Sequence, residues 1–119
     1  MVSELPAPTR RQSPEYDLNV VHQLAANEKI HYAGDRVYFT TLSMGFELPD
    51  VCRCLQQLSP AHFHESLRYG PRQHWQDVYL ITTVSPTGET HDLYIKFKIF
   101  GSQLMLFVCS FHPENDTND

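Results

Sequence analysis

Apolar residues recur every three or four positions in the first half of the chain and every second position later on. This change of period divides the sequence into helices followed by strands. A helix is expected to begin at Pro14, with Asp17 as its N-cap and Leu18, Val21, His22, Leu24 and Ala25 at helical spacing. In "KIHYAGDRVYFT" (29–40), Gly34–Asp35 separates two runs rich in β-formers, which reads as a hairpin. "TTLSMGFELPDVCRCLQQLSP" (40–60) reads as two short helices. Gly45 stops the first of them. In the second, Leu48, Val51, Cys52 and Leu55 form one apolar stripe that Leu58 continues. Ser59 is expected to cap a last helical turn through "PAHFHES".

After Gly70–Pro71 three β segments follow, at about 74–84, 90–100 and 102–111. "SPTGE" (85–89) and the tight turn Phe100–Gly101–Ser102 join them, and such short links require antiparallel pairing. The predicted fold is α+β, with N-terminal helices packed on one face of a twisted, mainly antiparallel sheet. In "LYIKFKIF" (93–100), Leu93, Ile95, Phe97 and Ile99 point toward the helices, and Tyr94, Lys96 and Lys98 point away. "HWQDVYLI" (74–81) is harder to place. Gln76 shares a face with His74, Val78 and Leu80, and Trp75 shares the other with Asp77, Tyr79 and Ile81. If Gln76 faces the same side as Tyr94, then Val78 and Leu80 need a cover, or a bulge must switch the faces. Trp75 is expected in the core, and Asp77 is expected to bond backbone or an arginine.

Composition fits this picture. Of 119 residues, 41% are hydrophobic and 12% aromatic, enough for one core without disulfide or metal staples. Residues 1–14 are expected to form a flexible arm, 15–112 one domain, and 113–119 an acidic disordered tail. No apolar run reaches membrane-helix length and the N-terminus has no apolar signal region, so a cytoplasmic protein without membrane contact is expected. Three cysteines, an odd number, fit a reducing compartment. The net charge of -5 argues against a general nucleic-acid binder. The surplus of acid lies outside residues 60–112, however. There four basic residues balance four acidic ones, and five of the seven histidines are found.

Cutting RNA without a metal requires a base for the 2′-OH, an acid for the leaving 5′-oxygen, and donors or cations for the phosphorane. "HFHESLRYG" (62–70) offers His62, His64, Glu65, Arg68 and Tyr69, and elsewhere stand His74, Gln76, Tyr94, Lys96, Lys98 and His112. A zinc site on Cys52, Cys54, His62 and His64 is disfavoured, because C-x-C…H-x-H is not the usual ligand spacing. No nucleophile elbow, phosphate loop or dinucleotide glycine pattern is present.

The order "GFELPDVCRCLQQLSPAHFHESLRY…HWQDVYLI…DLYIKFKI…LMLFVCSF" resembles the MqsR (motility quorum-sensing regulator) family over roughly residues 15–112. The carrying elements are Gly45–Phe46, Leu58–Ser59 with Phe63, "WQDVY" at 75–79, "LYIK" at 93–96 and Ser110–Phe111. The resemblance implies a RelE-like toxin of a type II toxin–antitoxin pair. It implies an endoribonuclease that cuts mRNA without a cofactor, and an antitoxin partner through which alone it would meet DNA. It places Gln76 and Tyr94 at active-site positions.

Two family lysines are replaced here, by Glu65 and by His112. One reading makes Glu65 and His112 a proton-transferring pair, with Gln76 and Tyr94 completing a catalytic set. His64, Arg68, Tyr69, Lys96 and Lys98 would then hold RNA. The other makes the chain a non-catalytic or weakened member that acts by binding an antitoxin or operator complex. The first is favoured, because a carboxylate and an imidazole are competent for both proton transfers.

Overall fold

The computed structural model describes residues 7–115. Ten elements follow one another: β1 (Thr9–Arg11), α1 (Leu18–Ala26), β2 (Ile30–Tyr32), α2 (Asp35–Ser43), α3 (Leu48–Gln56), a 3-10 turn (Pro60–His62), β3 (Phe63–Arg68), β4 (Gln76–Val84), β5 (Thr90–Phe100) and β6 (Met105–Pro113). The strands form one six-stranded sheet in the order β1-β3-β4-β5-β6-β2. All neighbours are antiparallel except β2, which runs parallel to β6. The fold is therefore α+β.

Local chemistry accounts for most elements. The Asp17 side chain accepts from Asn19 N and starts α1, whose buried residues Val21, Leu24 and Ala25 are the helical stripe. Glu47 and Asp50 form a reciprocal capping box at the start of α3, which buries Val51, Cys52, Cys54 and Leu55. Gly45, at φ 86°, takes the left-handed conformation that ends α2.

Four expectations are revised, each through tertiary context. Residues 29–40 do not form a hairpin. Only Ile30–Tyr32 is strand, paired in parallel with β6, and Gly34–Asp35 opens a helix instead. Residues Val37 and Thr41 lie one helical turn apart, and Thr41 is fully buried with its hydroxyl donating to the Val37 carbonyl. Packing on β6 overrides the β-propensity of "RVYFT". The helical turn after Ser59 stops at His62, and "FHESLR" is β3. The segment expected as a flexible arm supplies β1, an edge strand on β3, while residues 1–6 lie outside the described residues. The expected acidic tail is likewise shortened. Residue Pro113 ends β6, Glu114 N donates to Asp92 O, and 116–119 lie outside the described residues.

One face of the sheet carries α1 and α3. Val21, Val51, Leu55, Tyr79, Ile95 and Phe111 meet there with at most 1% exposure. Asp77 also points to this side and is fully buried. Its two oxygens accept from the backbone N–H of Glu15 and of Tyr16, and one accepts from the Ser66 hydroxyl. It thereby fastens the segment that leads into α1. Burial pushes the Asp77 carboxyl above its usual range, and these donors offset the shift only in part.

The opposite face is not bare. β4 keeps one register with β5 from Asp77 to Val84, so no bulge switches its sides. Val78 is fully buried there, opposed by Glu65 on β3 and Lys96 on β5. Polar neighbours flank the apolar positions of this face.

Candidate active site

Alternation and register put Arg10, Glu65, Leu67, Gln76, Val78, Leu80, Tyr94, Lys96, Lys98, Ser110 and His112 on the face away from α1 and α3. Glu65, Val78, Lys96 and Ser110 make one cross-strand rung, and Leu80, Tyr94 and His112 make the next. Two irregularities shape the face. β3 slips register at His64, between Phe63 and Glu65, and β6 has an extra residue, Cys109, opposite the Lys96–Phe97 step.

The Arg10 guanidinium, reaching over from β1, holds both Glu65 oxygens at 2.7 Å. It is 58% exposed, whereas Glu65 is 13% exposed, so Glu65 sits low in the face with the cation above it. The carboxylate raises the Arg10 pKa further, chiefly through this hydrogen bond, and Tyr69 and Tyr94 add weaker electrostatic contributions. The Lys96 ammonium is buried and donates to the Tyr69 hydroxyl at 2.9 Å. Tyr94 and His112 stack with ring centroids 4.9 Å apart and planes 10° apart. Nδ1 of His112 lies 2.8 Å from the Pro113 carbonyl. A proton donated there fixes the tautomer of the ring. His112 also lines a cleft of about 200 Å³ with Ser110, Arg36 and Thr40, next to α2.

Glu65 and Lys96 thus share one rung and Tyr94 and His112 the next, while Tyr69, just past the end of β3, joins them only through its hydroxyl on Lys96. Gln76 shares their face but stands four residues from Leu80, the partner of Tyr94, or ~13 Å along β4. It pairs with Leu67 and cannot bond the same atom as Tyr94. Continuing the β4–β5 register sets Gln76 beside Lys98, whose ammonium lies 5.3 Å from the Phe100 ring centre. His64 is exposed at the β3 bulge, with Nε2 3.9 Å from Glu65 Oε2. His74, also exposed, stacks on Phe100.

Other residues are turned elsewhere. Arg68 lies on the helical side with Ser66, and it and Arg11 sit over the Trp75 ring at 4.9 and 4.0 Å. Trp75 therefore serves as a platform for two guanidinium groups and is only partly buried, rather than a core residue. His62 Nδ1 accepts from Ser59 N and completes a turn. Cys52 and Cys54 are buried in α3, and burial pushes the Cys54 thiol up to about 12. Among the described residues no three His, Cys, Asp or Glu side chains converge as metal ligands. A larger hollow of about 560 Å³, lined by Tyr16, Leu18, Phe63 and Tyr79, lies on the helical side and shares no residue with the Glu65 cluster.

Sequence reading missed Arg10 because it belonged to a segment read as an arm. Its only signal was the Arg10–Arg11 pair, and only strand pairing shows that one arginine goes to each face.

A compact α+β domain with acid–base side chains and cations gathered on the open face of its sheet is the class of protein these observations define. The sequence model of the family described as "Motility quorum-sensing regulator, toxin of MqsA" matches residues 13–113, and the chain belongs to this family. It is a toxin of a toxin–antitoxin system, and its family implies an antitoxin partner. No curated protein matches the chain. No helix among the described residues is long and apolar enough to cross a membrane.

Proposed function

We propose that this toxin is a metal-independent endoribonuclease that cleaves mRNA in the cytoplasm and so arrests growth until its antitoxin binds. The observation that carries this reading is the placement of Glu65, Arg10, Lys96, Tyr94 and His112 on adjacent rungs of one face. Glu65 takes the proton of a ribose 2′-OH, and the freed 2′-oxygen attacks the adjacent phosphorus. Arg10 and Lys96 balance the charge of the phosphorane, and the Tyr94 hydroxyl donates to one of its oxygens. The bond to the 5′-oxygen breaks and that oxygen takes a proton from His112. The products are a 2′,3′-cyclic phosphate and a 5′-hydroxyl. Gln76 and Lys98, farther along the sheet, hold a neighbouring nucleotide.

The test is incubation of the purified chain with single-stranded mRNA in EDTA, followed by analysis of the new ends. Cyclic phosphate and 5′-hydroxyl ends are expected, and intact RNA would overturn the reading. A second reading is favoured by the Arg10–Glu65 pair itself, since both carboxylate oxygens are engaged. On that reading the chain acts by binding its antitoxin, and growth inhibition with intact RNA would establish it.

Arg10 separates catalysis from stability. Arg10→Gln is expected to lower kcat/KM for RNA about tenfold, corresponding to ~1.4 kcal/mol. The Arg10 side chain itself is largely exposed, so urea unfolding should change by no more than ~1 kcal/mol. Cleavage kinetics and urea titration of the same variant check both halves.

A further inference from the structure

We propose that His74, backed by Phe100, is a stacking subsite for an unpaired nucleobase. The inference rests on the RNA reading above and says where the chain holds a base away from the cut. Four rings cross the sheet in sequence on the same face as Tyr94 and Lys96. His74 lies on Phe100 at 4.6 Å and 12°, Phe100 on Phe107 at 4.4 Å and 16°, and Phe107 against His31 at 5.5 Å and 25°. Phe100 follows Tyr94, Lys96 and Lys98 in alternation along β5, so the row belongs to the acid–base face.

Both end rings, His74 and His31, are exposed, while Phe100 and Phe107 are half-buried. The stack is therefore anchored in the middle and open at its ends. One face of the His74 imidazole is taken by Phe100, and a base laid on the other would extend the row. Stacking needs no matched hydrogen bonds, so it accepts any base with a π-face. The His74 end is favoured over the His31 end by its neighbours. The next rung carries Gln76 and Lys98, an amide that can meet a base edge and an ammonium that can meet the linking phosphate. Phe100 stands four residues beyond Lys96, or ~13 Å along β5. A base there belongs to a nucleotide beyond the scissile pair, so the subsite bears on where RNA is cut and not on the chemistry of the cut.

The experiment measures binding of the full chain to a short single-stranded RNA made uncleavable by 2′-O-methylation, with one abasic nucleotide moved along it. In the wild type, one abasic position should weaken binding about tenfold, in line with ~1–3 kcal/mol per stacked base. His74→Ala should weaken binding of the intact RNA by the same factor and make that abasic position silent. His74→Phe should restore both. His74 is exposed, so its variants should fold normally. If His74→Ala binds intact RNA as the wild type does, or responds to the same abasic position, the subsite is overturned. RNA cleavage by the same preparation then shows that the nuclease reading survives. A His74-dependent abasic effect without cleavage would establish the subsite and retire the nuclease reading, and no RNA binding at all would overturn both.

Discussion

Glu65→Gln is expected to slow RNA cleavage at least ~100-fold, the lower range for loss of a general base. Glutamine has the same size and keeps one oxygen for the Arg10 guanidinium, which now spans both carboxylate oxygens at 2.7 Å. It cannot take the 2′-OH proton. The wild-type rate should pass through a maximum with pH, because it needs an ionised base and a protonated acid. Glu65→Gln should lose the acidic limb of that profile, and His112→Ala the alkaline limb. Glu65→Lys, which introduces the lysine that the resemblance leads one to expect, would set two cations together beside Lys96 and should not recover the rate. Single-turnover kinetics across pH give the answer. Wild-type cleavage by Glu65→Gln would remove Glu65 from the mechanism.

Asp77→Ala is expected to destabilise the fold by ~3 kcal/mol, without touching the acid–base face. It strips the acceptors from two backbone N–H groups and one hydroxyl in a region where Asp77 itself is fully buried. Each orphaned donor costs ~1–3 kcal/mol when water cannot reach it, and partial access at Glu15 reduces the sum. For a chain of this size the melting temperature should fall by ~10 °C. The pH dependence has a definite sign. Burial raises the folded carboxyl above 3.8, so the folded state binds this proton more tightly than the unfolded chain. The contribution of Asp77 is therefore greatest below pH 3.8 and declines as pH rises through the folded value. The stability gap between wild type and Asp77→Ala should narrow from acid to neutral pH. Thermal melts at several pH values test this, and a gap that widens toward neutral pH would show that the N–H donors outweigh burial.

The match of the family over residues 13–113 gives the toxin assignment, and its limits are instructive. Where the resemblance read from the sequence leads one to expect a lysine, this chain has Glu65, and an arginine from another strand stands over it. The cation is thus present in space although absent from its position in the sequence.

Periodicity was enough for α1, α3 and the β4–β6 meander, because each element carries its own apolar pattern and its own caps or turns. The inward set Leu93, Ile95, Phe97 and Ile99 is buried as alternation requires. So is the family membership legible, since it lies in the order of residues. Residues 29–40 were not legible. Their β-rich composition is overridden by a helix packed on β6, and no local signal distinguishes the two outcomes. The β3 strand was hidden for a related reason: it is held between Gln76–Tyr79, the next strand along the chain, and Thr9–Arg11, which is distant in sequence.

The site divides in the same way. Sequence alone determined which residues have the right chemistry: Glu65, Tyr94, Lys96 and His112 among them. Tertiary structure decided which of these meet. It turned Arg68 onto Trp75 on the helical side, used His62 as a turn cap, spaced Gln76 away from Tyr94, and brought Arg10 onto Glu65. Strand register makes these choices, because a shift of one residue sends a side chain to the other face of the sheet. Register depends on pairing between segments as far apart as residues 10 and 65.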